Sequence, residues 1–107
     1  MTNDEVNKII AEYMDIKWSF RDGKMYDHSN DSCGILIPMY TNSIDALVPV
    51  WDKLNTFPMF DEDEKYLIEL LTEDRFSEIN YVWAKADTIQ EAAAHATAKA
   101  IISLGDQ

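Results

Sequence analysis

The feature that most constrains the fold of this chain is an alanine-rich segment near its end, residues 89–104. Thr88 and Glu91 have the Thr-x-x-Glu spacing of a capping box, in which each side chain satisfies a free backbone N–H at a helix start. One helical face collects small and apolar residues, namely Ile89, Ala92, Ala93, Ala96, Ala100 and Leu104. Because alanines bury little side chain, this segment predicts a helix that approaches a sheet closely and ends at Gly105.

The N-terminal segment predicts a helix as well. Thr2 and Glu5 form a second capping box. Behind it, apolar residues recur on one helical face at Val6, Ile9, Ile10 and Tyr13. We therefore expect a helix that begins at Thr2 and ends near Met14.

A further helix is predicted over residues 43–54, where one face carries Ile44, Leu47, Val48, Trp51 and Leu54. Pro49 lies on the side opposite to this stripe. A proline inside a helix removes a hydrogen bond and clashes with the carbonyl four residues back. We therefore expect either a kink at Pro49 or two short helical pieces.

Residues 17–28 predict a short β-hairpin. Asp22-Gly23 is a strong signal for a two-residue turn, since both central positions of that turn need positive φ. Aromatic and apolar residues flank it at Trp18, Phe20, Met25 and Tyr26. Residues 29–34 have the composition of a loop.

Residues 66–86 allow two interpretations. Residues 66–72 could complete a helix begun at Asp61, or they could form a strand that pairs with residues 76–85 across a turn at 73–75. We favour the hairpin, because the second segment alternates regularly and is rich in β-favouring residues. Both faces of these strands carry apolar residues, which predicts a sheet covered on both sides.

The net charge of −11, from twenty acids and nine bases, is the largest departure from an average composition. Eight of the acids lie within residues 61–78, together with only two bases. Such a field repels nucleic-acid phosphates and anionic membranes, so we expect neither as a direct partner. The single cysteine, Cys33, and the lack of a secretory signal favour a reducing cytosol. Length and 47% apolar content predict one domain over residues 1–107.

The order of elements and aromatic positions follows a recognisable pattern. It begins with Met-Thr-Asn-Asp-Glu-Val-Asn-Lys-Ile-Ile-Ala-Glu-Tyr and Trp18, and continues with Ile-Pro-Met-Tyr-Thr-Asn-Ser-Ile-Asp-Ala-Leu at 37–47 before Trp51 and Leu54. It closes with Tyr-Val-Trp-Ala-Lys-Ala-Asp-Thr at 81–88 and the alanine-rich helix. This pattern, which covers nearly the whole chain, resembles the phage ABA-sandwich domain family.

The resemblance implies an α+β fold, specifically an α-β-α sandwich in which a small antiparallel sheet has helices packed on both faces. It also implies a phage or prophage origin. It brings no assigned activity and no functional residues. Pro49, inside the second helix, departs from what the family leads us to expect.

Few residues suggest chemistry. His28 and Cys33, five residues apart, could hold a metal or form a nucleophilic pair, but zinc needs three or four such ligands and an ordinary polar loop is the favoured interpretation. His95 is interpreted as a partly exposed helix histidine near Glu91 and Lys99. The three tryptophans are interpreted as core or core-edge residues, one of which could anchor an interface. We expect no catalytic residue, cofactor or metal.

The leading functional hypothesis is a non-enzymatic phage accessory protein that binds a protein partner in the host cell cytoplasm. Its sharper form is an acidic inhibitor of a basic host protein that binds nucleic acid or acts in defence. The candidate contact residues are all acidic: Asp61, Glu62, Asp63, Glu64, Glu73, Asp74 and Glu78. One alternative is a virion or assembly component that forms homo-oligomers, and a remote one is a small enzyme with an unrecognised site.

Overall fold

The computed structural model describes residues 1–28, 34–61, 67–73 and 79–105 of the chain. These residues form an α+β domain with three α-helices and two small antiparallel sheets. The elements follow one another as α1 (Asn3–Tyr13), β1 (Trp18–Arg21), β2 (Lys24–Asp27), β3 (Ile35–Ile37), a 3₁₀ turn (Tyr40–Asn42), α2 (Ile44–Leu54), β4 (Thr56–Asp61), β5 (Leu67–Glu73), β6 (Ile79–Lys85) and α3 (Ile89–Gly105).

All three helices begin where their sequences predict. The Thr2 hydroxyl accepts a hydrogen bond from the Glu5 backbone N–H at 3.2 Å, and the Thr88 hydroxyl accepts one from the Glu91 N–H at 3.1 Å. At the start of α2, the Ser43 hydroxyl accepts from the Ala46 N–H at 3.2 Å. Each bond satisfies one of the backbone donors that a helix start leaves free.

Helix α2 runs unbroken across Pro49, so the expected division into two short pieces is wrong. Pro49 is exposed, and the buried face of the helix carries Leu47, Val50, Trp51 and Leu54. Val48, which we expected on that face, is 46% exposed. Packing of the opposite face therefore holds the helix together where the proline removes one backbone bond.

The first sheet is a three-stranded meander in the order β1-β2-β3. The predicted hairpin is confirmed, since Arg21 pairs with Lys24 and the turn residues Asp22 and Gly23 have φ of 54° and 74°. Strand β3, which the sequence analysis did not identify, pairs antiparallel with β2 and is only three residues long. The predicted loop over 29–34 lies outside the described residues apart from Gly34.

The second sheet has the order β4-β5-β6, with both pairs antiparallel. It confirms the favoured hairpin for residues 67–85, although its predicted turn lies outside the described residues beyond Glu73. The alternative of a helix begun at Asp61 is wrong, because Asp61 is the last residue of β4. Strand β4 was missed because it contains Pro58, which a central strand excludes but an edge strand such as β4 tolerates.

Helix α3 lies at the centre of the domain, where it contacts β5, β6, α1, α2 and the 3₁₀ turn. Its alanines are therefore buried on all sides and not only toward the sheet; the buried set is Ala92, Ala93, Ala94, Ala96, Ala98 and Ala100. The α+β class and the small antiparallel sheet are confirmed. The α-β-α order of layers is not fully confirmed, because α3 covers one face of the second sheet while residues on the other face are exposed.

Two sets of buried polar contacts join elements of the domain, one between α1 and the 3₁₀ turn and one between α2 and α3. The Asn7 amide donates to the Asn3 carbonyl at 2.9 Å and to the Thr41 hydroxyl at 3.1 Å, and its oxygen accepts from the Thr41 N–H at 3.2 Å. The Trp51 indole N–H donates to the Thr97 hydroxyl at 2.9 Å, which joins α2 to α3. No described side chain that is buried leaves a polar atom without a hydrogen-bond partner.

Candidate functional site

The predicted acidic contact residues do not all lie at one place. Asp61 pairs with Leu67 at one end of the second sheet, whereas Glu73 pairs with Ile79 at the other. Six residue steps along β5 separate the two ends, about 20 Å at the usual rise of a strand. The remaining members of the set, Glu62, Asp63, Glu64, Asp74 and Glu78, lie outside the described residues. Asp61 and Glu73, the described residues of the set, therefore lie at opposite ends of the sheet.

Between these ends, the face of the sheet that points away from α3 carries exposed apolar side chains. Trp83 on β6 is 59% exposed and Met59 on β4 is 48% exposed. Both residues pair with Glu69 of the central strand, so they occupy one row across the sheet. Ala84, the next residue along β6, is buried against the core, as the alternation of a strand requires. We call the row of Met59, Glu69 and Trp83 the outer row.

Trp83 is positioned by a cation from α3. The Lys99 ammonium lies 5.4 Å from the centre of the Trp83 ring and donates to the Trp83 backbone carbonyl at 3.3 Å. Strand β6 is at an edge of the sheet. The Lys99 ammonium occupies a backbone carbonyl of this edge strand, which discourages the addition of another strand. A cation–π contact of this exposed kind contributes about 0.5–1 kcal/mol. The indole is therefore held in place while most of it remains in solvent.

The three tryptophans differ in their exposure to solvent, which their sequence positions did not predict. Trp51 is 7% exposed and hydrogen-bonded in the core, and Trp18 is half-buried against Phe20 at a ring distance of 5.0 Å. Trp83 alone among them presents most of its surface to solvent. The alternation of β6 could identify its face in the sequence, but only the packing of α3 shows which face is covered.

The His28 ring is hydrogen-bonded to Ser19, whereas the sequence suggested Cys33 as its neighbour. Its Nε2 shares a hydrogen bond with the Ser19 hydroxyl at 2.6 Å, while Cys33 lies outside the described residues. The ring also packs against Gly34, where an added Cβ would lie 2.7 Å from the ring. Gly34 has a φ of 84°, so both the conformation and the space at this position require glycine. We assign the Ser19–His28 pair a structural role at the end of the hairpin.

His95 lies on α3 and faces the start of α1, where its Nε2 donates to the Asn3 side-chain oxygen at 2.8 Å. Burial lowers the pKa of His95 below its usual value, and the N-terminal ammonium and Lys99 act in the same direction. Glu91 acts in the opposite direction. This agrees with the predicted position of His95 near Glu91 and Lys99.

Within residues 1–28, 34–61, 67–73 and 79–105, no three side chains of His, Cys, Asp or Glu gather closely enough to hold a metal ion. Among the helices of the same ranges, none combines the length and the apolar character that crossing a bilayer requires.

Comparison with protein-family models, curated proteins and solved structures found no match to this chain. The resemblance to the phage ABA-sandwich domain family therefore stays a prediction.

Proposed function

We propose that this chain is a non-enzymatic accessory protein of phage origin that binds a protein partner through the outer row of its second sheet. The observation that carries the proposal is the exposure of Trp83 and Met59 in one register row, on a face that no described helix covers. Large exposed apolar side chains that lie close together on one face of a sheet are typical of a protein contact surface.

Tryptophan is the residue type best suited to anchor such a contact. A tryptophan buries roughly 150–250 Å² when a partner covers it, and it is enriched among residues that dominate binding free energy. The Lys99 contact fixes the indole before binding, which reduces the side-chain entropy lost on association. Methionine at the other end of the row can adjust its shape to the partner.

The charge of the chain indicates the chemistry of the partner. A net charge of −11 repels a second copy of the chain and attracts a basic surface. Asp61 and Glu73 lie at the two ends of the sheet that carries the outer row. We therefore propose a partner with an apolar pocket in a basic surface, such as the nucleic-acid groove of a host protein, met in the host cell cytoplasm.

The proposal can be tested by site-specific photocrosslinking in the phage's bacterial host. The photoreactive amino acid p-benzoylphenylalanine is placed at position 83 and, as a matched control, at position 48. Val48 is also an exposed apolar residue, but it lies on α2. We expect one protein to be crosslinked from position 83 and not from position 48, and mass spectrometry to identify it.

Binding measurements with the purified partner then test the tryptophan anchor and the basic surface of the partner separately. Trp83→Ala should weaken binding at least tenfold, whereas Val48→Ala should not change it. Binding should weaken as salt rises, and a single-stranded oligonucleotide should compete if the partner's basic surface is a nucleic-acid groove. Crosslinks from position 83 to a second copy, with a dimer in sedimentation, would contradict the proposal and favour the oligomeric assembly component.

A further inference from the structure

A second apolar surface lies in the first sheet, away from the outer row. It is an open groove of about 410 Å³ where β3 leaves the sheet and enters the 3₁₀ turn. Its apolar lining comprises Met25, Leu36, Ile37, Pro38 and Met39. Sites for small ligands typically measure roughly 300–1,000 Å³ and are lined in this way, with a few polar groups that fix the orientation of the ligand.

A buried residue and a side-chain hydrogen bond define the shape of the groove. Met25 is completely buried beneath the groove, whereas Leu36 is 56% exposed at its rim. The Asn42 side-chain amide donates to the Met39 sulfur at 3.7 Å, which orients one wall. At Gly23, an added Cβ would have nothing within 4 Å, so the groove is open to solvent beside the hairpin turn.

Two polar side chains stand in this lining, and both can donate hydrogen bonds. Lys24 supplies an exposed ammonium that forms no ion pair with any described residue. Asn42 uses one of its two amide N–H groups on Met39, which leaves the other for a ligand. An ammonium and an amide donor beside an apolar cleft match an anionic head attached to an apolar body.

We propose that this groove binds a small amphipathic carboxylate, with its hydrocarbon chain against Leu36, Pro38 and Met39 and its carboxylate on Lys24. The overall negative charge does not prevent this, because exposed charges beyond about 10 Å are screened at ordinary ionic strength. Beside the hairpin turn, Arg21 pairs with Lys24, so two bases lie next to one acid, Asp22. This surface is thus locally basic on an acidic protein.

The test is a titration of the full chain, followed by amide NMR shifts, with three probes whose hydrocarbon tails have seven or eight carbons. Octanoate should bind and shift the amides of Lys24, Leu36 and Met39. 1-Octanol should bind several-fold more weakly, and octyltrimethylammonium more weakly still. Hexanoate, shorter by two methylenes, should bind about four- to fifteenfold more weakly than octanoate.

Variants separate the head from the tail. Lys24→Gln should weaken octanoate about three- to fivefold and leave 1-octanol within about twofold, whereas Lys8→Gln on α1 should change neither. Leu36→Asn should weaken both probes, and Val48→Asn on α2 should weaken none. Leu36 and Val48 are exposed, so these variants should fold.

Any one of four outcomes would overturn the proposal. Octyltrimethylammonium could bind as tightly as octanoate, Lys24→Gln could leave octanoate affinity unchanged, or the shifts could map to another part of the chain. A peptide that ends in leucine and binds more tightly than octanoate would replace the small carboxylate with a protein terminus. None of these results depends on the outer row, so the inference and the proposed function can fail separately.

Discussion

Among the described residues of the three helices, the large apolar side chains that face inward are buried or half-buried, and the buried polar groups beside them are hydrogen-bonded. Trp51 shows this pattern, since it is 7% exposed and bonded to Thr97. On the outer row of the second sheet, Trp83 is 59% exposed, and the Lys99 ammonium lies over its ring. One residue type is thus used in two ways within the same domain.

The difference shows where stability and function can be separated. Packing around α3 supplies the stability, because the helices and one face of the sheet bury their side chains there. The outer row lies on that stable support and contributes little to it. A surface of this kind can be mutated for binding without unfolding the protein, which makes the comparison testable.

The largest predicted effect comes from truncating the two tryptophans in parallel. Trp51→Ala should lower the free energy of unfolding by about 3–5 kcal/mol, because it leaves a core cavity and removes the donor to Thr97. Trp83→Ala should lower it by less than about 1 kcal/mol, since the ring is mostly in water. Urea denaturation of both variants measures this difference, and similar losses in the two would break the comparison.

Asn7 gives the next largest effect. Asn7→Ala should cost about 2–3 kcal/mol of unfolding free energy, because the buried Thr41 N–H loses its acceptor and the Thr41 hydroxyl loses a donor. Asn42→Ala is the matched control, since that amide is exposed, and it should change stability by less than about 0.5 kcal/mol. Equal effects would mean that the Asn7 network does not hold α1 to the 3₁₀ turn.

Local signals in the sequence were sufficient for most of the fold. Capping boxes predicted the starts of α1 and α3, and Asp22-Gly23 predicted the first hairpin, because each acts within a few residues. The apolar stripe predicted α2. Strands β3 and β4 were missed for physical reasons. Three residues give no readable alternation, and Pro58 is compatible with a strand only because β4 lies at an edge, which tertiary pairing decides.

The candidate site could be predicted only in part. The alternation of β6 places Trp83 and Ala84 on opposite faces, but the sequence suggested that both faces were covered. Which face α3 covers depends on contacts between segments far apart in the chain. The acidic segment was visible in the composition, whereas the separation of Asp61 from Glu73 across the sheet follows from strand pairing alone.

Pro49 tests whether helix α2 depends on packing or on its own backbone. Pro49→Ala should restore the hydrogen bond to the Asp45 carbonyl and remove the steric clash, and it should stabilise the protein by about 2 kcal/mol. The gain is smaller than in an isolated helix because proline also restricts the unfolded chain. Thermal and urea denaturation measure it, with Val48→Ala as the neighbouring control. If stability is unchanged, packing of the buried face of α2 already compensates fully for the free-energy cost of the proline.

The smallest predicted effect is a pH dependence at His95, on the helical side of the comparison. Burial lowers its pKa in the folded state below the ordinary value of 6.5, so the unfolded chain takes up the proton first as the pH falls. Unfolding free energy should therefore decrease below about pH 6.5 and level off once the folded state is protonated as well. His95→Gln keeps a donor for Asn3 but cannot titrate, so its stability should decrease less than that of the parent between pH 8 and pH 5. Parallel decreases in both proteins would show that the N-terminal ammonium, Glu91 and Lys99 leave His95 no net influence.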